Sequence, residues 1–377
     1  MVLGSGRGVT AAPLTRGPLI VSHYGDMPFG LARGGRLTAA ALREQGFAPI
    51  EHDLRPALED RRIACGVLSP EDRGGVWISH CNPEHIASVL SHLSPADWRG
   101  RYRIGYWAWE LPRAPKFWFW MARFFHEVWV VSEFVAEALD GAPTQIRVMP
   151  HPVPVGPVRP SREGPRIVLT MADLRSAQAR KNPLGAIEAY RRAFPEPRPE
   201  RVRLRVKLNG MDFDPSALAE LRSAAQRADI ELIERVLSDA EMEALVCDCD
   251  LLVSLHRSEG FGLPIAEAMA RGIPALATGW SGNLDFMRGI EPLLVSHRMI
   301  PVSDPSGVYR GAGSQWADPD LDDAAFRLRH LVADDALRLR LGAEGRRRIT
   351  DLHDRWRDGA AKGWRSLIRP EQLVPPA

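Results

Sequence analysis

DLLVSLHRSEGFGLPIAEAMARGIPALATGWSGNLDF, Asp250 to Phe286, is the stretch whose reading decides the fold. A β-rich run ends near Leu255, the loop Ser258-Glu259-Gly260-Phe261-Gly262 follows, and LPIAEAMA from Leu263 then reads as a helix. Pro264 suits the first helical turn, where its missing amide hydrogen has no partner to lose, and Gly272 marks the helix stop. A second β-rich run, IPALAT at 273–278, comes directly after. Strand, loop, helix and strand predict a βαβ unit in a mostly parallel sheet. Gly260 and Gly262 lack a Cβ, so backbone N–H groups there can approach a ligand closely, and the helix N-terminus behind them favours negative charge. The loop is therefore a phosphate cradle without a Walker lysine. Glu259 in the loop and Glu267 in the helix, with seven residues between them, would repel a phosphate unless they point elsewhere. Sugar hydroxyls are the natural partners of such carboxylates, because an ionised carboxylate only accepts hydrogen bonds.

The same alternation extends in both directions. Upstream in the second half, RIVLTM (166–171), VRLRVKL (202–208) and IELIE (230–234) are β-rich, and PLLVS (292–296) follows downstream. The first half repeats the pattern with PLIVS (18–22), VWIS (76–79), RIGYW (103–107) and EVWVVS (127–132), and helical stretches lie between them. From 150 to 165, PHPVPVGPVRPSREGP is too rich in proline for a helix or a central strand and reads as a linker. The expected organisation is a flexible tail at 1–17, a Rossmann-like domain at 18–152, a linker at 153–165 and a second Rossmann-like domain at 166–355. A C-terminal helix at 356–377 is expected to pack back on the first domain. Ligands of such α/β domains bind at the carboxyl ends of the strands, here on facing sides of a cleft.

Composition narrows the function. The chain has 377 residues, 49 Lys and Arg against 47 Asp and Glu, and a net charge of +2. That balance argues against a dedicated nucleic-acid binder. Four cysteines are too few for a disulfide framework in a chain of this length, which fits a reducing, cytoplasmic setting. No apolar run approaches the roughly 20 residues that span a bilayer. KFWFWMARFF (Lys116 to Phe125) places Phe117, Trp120, Met121 and Phe124 at helical spacing, predicting a buried stripe. Trp118, Phe125, Arg113, Lys116 and Arg123 lie off that stripe, which leaves open a peripheral contact with the inner face of a membrane or with a lipid-linked acceptor. His151 and His256 belong to no metal-spaced set, and no Asp-x-Asp pair stands in a suitable loop.

The E-x7-E spacing within EGFGLPIAEAMA, together with the two-half organisation, resembles the family 4 retaining glycosyltransferases of the GT-B fold. The resemblance covers nearly the whole chain after the tail. It implies an α/β protein of GT-B fold that moves a hexose, mannose- or glucose-type, from a GDP- or UDP-linked donor to a sugar or lipid-linked oligosaccharide acceptor, without a cofactor or metal. It further implies that Glu259 lies beside the donor hexose and that Glu267 holds the donor ribose. In MADLRSAQARKNPLGAIEAY, Arg175 and Lys181 match the Arg and Lys with which the family neutralises the donor diphosphate, and Arg180 is the alternative cation. Fixed cations aimed at a departing diphosphate lower the barrier.

Gly260, Phe261, Gly262 and Leu263 complete the expected cradle. Ser281 and Asn283 lie in the loop where the family usually has a Gly-Gly turn ending in Glu; here Ser stands for the first Gly and Asp285 for the Glu. The donor base is expected beside Val236. In the first half, Gly30 is the expected close approach of a loop spanning 29–36, and Glu110 stands where many members carry a His. Two rival readings keep the fold but not the transfer: a nucleotide-sugar epimerase, and a silent sugar-nucleotide-binding protein.

Overall fold

The computed structural model describes residues 17–56, 74–93, 95–159, 163–305, 307, 309 and 314–367. The expected tail up to residue 16, Cys65, part of the linker and the chain after Leu367 lie outside these residues. Two compact units divide the chain: the residues up to Pro152 together with those from His353, and Val153–Leu352.

Among the described residues the first unit has six parallel strands: β1 (Leu19–His23), β2 (Ile50–Asp53), β3 (Val76–Ser79), β4 (Tyr102–Trp107), β5 (Glu127–Val130) and β6 (Gln145–Val148). Their order is β2-β1-β3-β4-β5-β6. The inner strands are buried on both faces, which is why they read as continuous apolar runs. The edge strands β2 (IEHD) and β6 (QIRV) carry charge and have no apolar signature. The second unit also has six parallel strands: β7 (Arg166–Asp173), β8 (Val202–Asn209), β9 (Ile230–Ile233), β10 (Leu251–Ser254), β11 (Ala275–Thr278) and β12 (Leu294–Val295). They are ordered β12-β11-β10-β7-β8-β9. An antiparallel pair, β13 (His297–Pro301) with β14 (Gln315–Pro319), follows and was not expected.

Three local expectations are corrected. The first helix is Gly30–Glu44, so the glycine-bearing stretch at 29–36 is mostly helix rather than loop. Gly34 and Gly35 lie inside it because a Cβ there would come within 2.3 Å of the His151 and His23 side chains. In helix Lys116–Ala122 Trp118, Met121 and Ala122 are buried while Phe117 and Trp120 are exposed, so the expected stripe holds at Met121 and at Phe124 just beyond the helix and fails at Phe117 and Trp120. Phe125 is buried as well. Trp118 is drawn inward by Trp107 and Trp109, with ring centroids 5.5 and 5.0 Å away. The expected C-terminal helix is not a separate element: one helix, Asp335–Leu367, runs through residue 355, and the division between the units falls within it at His353, close to the expected boundary.

Candidate functional site

In the second sheet the chain starts at β7, moves outward through β8 and β9, then returns to the other side of β7 as β10. Loops leaving the carboxyl ends of β7 and β10 therefore run in opposite directions and open a crevice between them, the usual ligand position in such sheets. The loop after β7 is tightly bent. Ala177 and Asn182 both adopt left-handed backbone, with φ of 56° and 50°. Asn182 caps helix Pro183–Ala193 by accepting from the Gly185 amide at 3.2 Å, and its Nδ2 donates to Leu255 O at 2.9 Å. Two further bonds stitch this loop to the end of β10: Arg257 N–H donates to Arg180 O at 2.7 Å, and Arg180 Nη1 donates to Ser258 O at 2.8 Å.

This stitching brings Arg180, Lys181 and Glu259 together across 78 residues of sequence. Lys181 Nζ donates to Glu259 Oε1 at 2.5 Å, and Arg180 Nη1 lies 3.3 Å from Glu259 Oε2. Burial alone pushes the Glu259 carboxyl up, but Lys181 and Arg180 overcome it and hold the group down at about 2. Glu259 is thus an anion at neutral pH and can only accept hydrogen bonds. Its backbone is fixed from β11: Glu259 N–H donates to Ser281 Oγ at 2.8 Å, and Gly282 N–H donates to Glu259 O at 2.9 Å. Ser281 has φ 74°, a conformation that favours glycine, and its hydroxyl offsets the strain by serving the Glu259 amide and by donating to Trp280 O at 2.6 Å. A Cβ at Gly282 would come within 2.0 Å of Gly260 O, so this position has no room for a side chain.

The remaining expected residues divide by position. Gly262, at φ 92°, is the cap of helix Leu263–Ala270, with Pro264 in the first turn. Gly260 lies just before it, and Phe261 and Leu263 turn their side chains into the core, leaving only their backbone for a ligand. Glu267 is half-buried one turn into that helix. Asn283 is wholly buried and donates to Thr278 O at 3.1 Å, so it holds the turn. Asp285 lies in the first turn of helix Leu284–Met287. Arg175 is not joined to Glu259. Its guanidinium is held by Asp173, with Nε to Oδ1 at 2.9 Å and Nη2 to Oδ2 at 2.8 Å. Val236 is 60% exposed in the loop after β9.

Gly30 and Glu110 belong to the first unit. Asn82 ties the loop after β3 to the loop after β4 by donating to Ala108 O at 2.8 Å and accepting from the Ala108 amide at 3.1 Å. Strand β4 ends at Trp107, and Trp107 and Trp109 are both buried. Glu110 is half-buried between Trp109 and the buried Leu111.

Lys207 was missed, and His256 was weighed only as a metal ligand. His256 follows β10, is fully buried, and has neither ring nitrogen hydrogen-bonded. Burial pulls it down to about 4, so it is neutral at pH 7. Lys207 is buried at the carboxyl end of β8, donates to Leu208 O at 2.7 Å and Asn209 Oδ1 at 2.6 Å, and is lowered by burial to about 8. Its alternation with Arg203 and Arg205 in VRLRVKLN suggests a solvent face, and only a sheet covered on both sides buries it. Among the described residues no group of three or more His, Cys, Asp or Glu is placed to hold a metal ion.

Two six-stranded parallel sheets, each flanked by helices, define an α/β protein of GT-B fold. Residues 130–358 match the family described as "Family 4 Glycosyltransferase in conflict systems", and the chain belongs to that family. A search of curated proteins found no match. Among solved structures, the chain is similar to sucrose-phosphate synthase from Thermosynechococcus elongatus, with TM-score 0.64 and 16% identity over 93% of this chain and 99% of that one. It is also similar to a glycosyltransferase from Rickettsia africae ESF-5, with TM-score 0.61 and 12% identity over 93% and 99%. A third match is a TarM variant from S. aureus in complex with UDP, with TM-score 0.56 and 14% identity over 78% of this chain. The chain spans about half the length of that protein, 55%. Identities this low speak for the fold alone.

Proposed function

We propose that this glycosyltransferase moves a hexose from a nucleoside diphosphate sugar, GDP- or UDP-linked, to a hydroxyl of a sugar or lipid-linked oligosaccharide acceptor, with retention at the anomeric carbon. The observation that carries this reading is the buried Lys181–Glu259–Arg180 cluster at the switch point of the second sheet, beside the start of helix Leu263–Ala270. A carboxylate held ionised there accepts hydrogen bonds from hexose hydroxyls as positive charge develops on the ring. Backbone amides of Gly260 to Leu263 and the helix N-terminus meet the diphosphate. Lys181 and Arg175 add cationic charge where the leaving group gains negative charge. Arg180 is a positioning residue in this scheme: it is buried and spans Ser258 O and Glu259, so it aims the carboxylate. Glu267 takes the ribose hydroxyls, Val236 flanks the base, and the first unit supplies the acceptor contact through Glu110.

A thermal-shift panel of UDP, GDP, ADP and dTDP tests the donor reading. A ligand at 100 times its Kd adds about 2.7 kcal/mol of stability, so one diphosphate stands out. Product analysis with the matching sugar donor then separates a retained glycoside from an epimerised donor. No stabilisation by any of the four, or an epimer as sole product, rejects the proposal.

A further inference from the structure

Helix Lys116–Ala122 has two unlike faces. Trp118, Met121 and Ala122 are buried, and Trp118 Nε1 donates to Glu84 Oε1 at 2.8 Å, engaging a carboxylate of the neighbouring helix Pro83–His92. On the other side Lys116, Phe117 and Trp120 fall within one helical stripe, and Arg123 continues it at the helix end. Phe117 is 42% and Trp120 47% exposed. Their rings stack on one another, with centroids 5.9 Å apart and planes 25° from parallel. Arg113, Lys116 and Arg123 flank this aromatic pair within a few residues of sequence, and all three are exposed. Among the described residues none of the three is in an ion pair. Among the described residues the other large apolar side chains that reach solvent, such as Phe213 and Phe326, lie in separate segments.

We propose that this face docks the protein on an anionic membrane surface. Aromatic rings gain from the headgroup region, where an apolar body and polar surroundings coexist. Cations beside them are drawn to acidic lipids over a range set by ionic strength. The buried opposite face keeps the helix flat on its own domain, which suits surface contact; among the described residues no helix is long and apolar enough to cross a membrane. The stacked rings partly cover each other, leaving less open ring face for a nucleobase, and the net charge of +2 is small for a nucleic-acid surface.

Co-sedimentation of the full chain with vesicles tests this without reference to catalysis. Vesicles of phosphatidylcholine containing about one-third phosphatidylglycerol should carry the protein down in low salt, and pure phosphatidylcholine vesicles should not. Lys116→Gln with Arg123→Gln should weaken partitioning roughly 30-fold, and Phe117→Ser with Trp120→Ser should abolish it. Both double variants should keep the parent melting temperature, since all four side chains are exposed. The proposal is overturned if the parent stays in the supernatant with acidic vesicles, or if both variants sediment as the parent does. It is equally overturned if the aromatic variant instead dissolves a dimer, or if a single-stranded oligonucleotide competes the patch while vesicles do not bind.

Discussion

The two units share a switch point beside their first strand, with one strand on its far side in the first unit and two in the second, and they differ in the chemistry placed there. In each, six parallel strands change direction beside the unit's first strand, β1 or β7, and a fully buried imidazole without hydrogen-bonded ring nitrogens follows the neighbouring strand, His80 after β3 and His256 after β10. Around His256 the loops bring a carboxylate and two cations together. Around His80 they bring neutral rings: Tyr106 at 4.2 Å and His151 at 6.5 Å between centroids. Tyr106 OH donates to Met149 O and Pro150 O, which spends its polarity on backbone. The sheet thus sets where a site can form, and the loops alone decide whether it attracts charge.

The largest expected effect breaks the charged side. Glu259→Gln removes the anion that Lys181 and Arg180 share, and transfer activity should fall by at least about a hundredfold, or roughly 2.7 kcal/mol. Breaking a buried pair this way also costs about 3–5 kcal/mol of stability, so turnover should be measured below the variant's own melting temperature. Unchanged kcat in folded protein would remove Glu259 from the chemistry.

Acid should separate the units. Burial lowers His151 to about 3 and His256 to about 4, and lowers His80 well below its ordinary value. Unfolded histidines titrate near 6.5, so between about pH 6.5 and 4.5 the unfolded chain binds more protons and stability falls as pH drops. For His256 alone the loss is about 3 kcal/mol once pH reaches its folded value. Glu259 acts lower: its stabilising charge is complete above the unfolded carboxyl range and is lost as pH falls toward about 2. Burial also lowers His126 in the first unit, to about 4, and His297 in the second, which makes, among the described residues, three such histidines against two, so amide exchange should speed first in β3 and β4 and later in β10. Simultaneous loss in both sheets would show that the histidines do not set the order.

Glu267→Ala sharpens the donor side. It should weaken nucleotide binding by about 1.5–3 kcal/mol with a smaller effect on the chemical step, read by titration calorimetry and single-turnover rates. The smallest expected change is in the first unit: Glu110→Gln should lower turnover about tenfold, or 1.4 kcal/mol, with the melting temperature kept. Normal turnover with a lowered melting temperature would make Glu110 a fold residue. Activity that survives EDTA is also expected, since Arg175, Lys181 and the loop amides are assigned the diphosphate charge. Loss on chelation with recovery on Mn²⁺ would reassign it.

What could be read directly from the amino-acid order is whatever depends on neighbours in the chain. Alternating β-rich and helical runs specify two parallel sheets, because strands buried on both faces are apolar throughout. EGFGLP specifies a loop opening a helix, because glycine and proline act on their own backbone. Edge strands such as Ile50–Asp53 were illegible for the same reason: one solvated side lets IEHD carry charge. Tertiary structure alone decided that Arg180 and Lys181 meet Glu259, since those pairings depend on bends at Ala177 and Asn182 and on bonds across 78 residues, whereas Arg175 folds onto Asp173 two residues away. It also decided which face of Lys116–Ala122 is buried. Seven residues of almost uniformly apolar sequence leave helical phase undetermined, and the packing of Trp118 against Trp107 and Trp109 sets it.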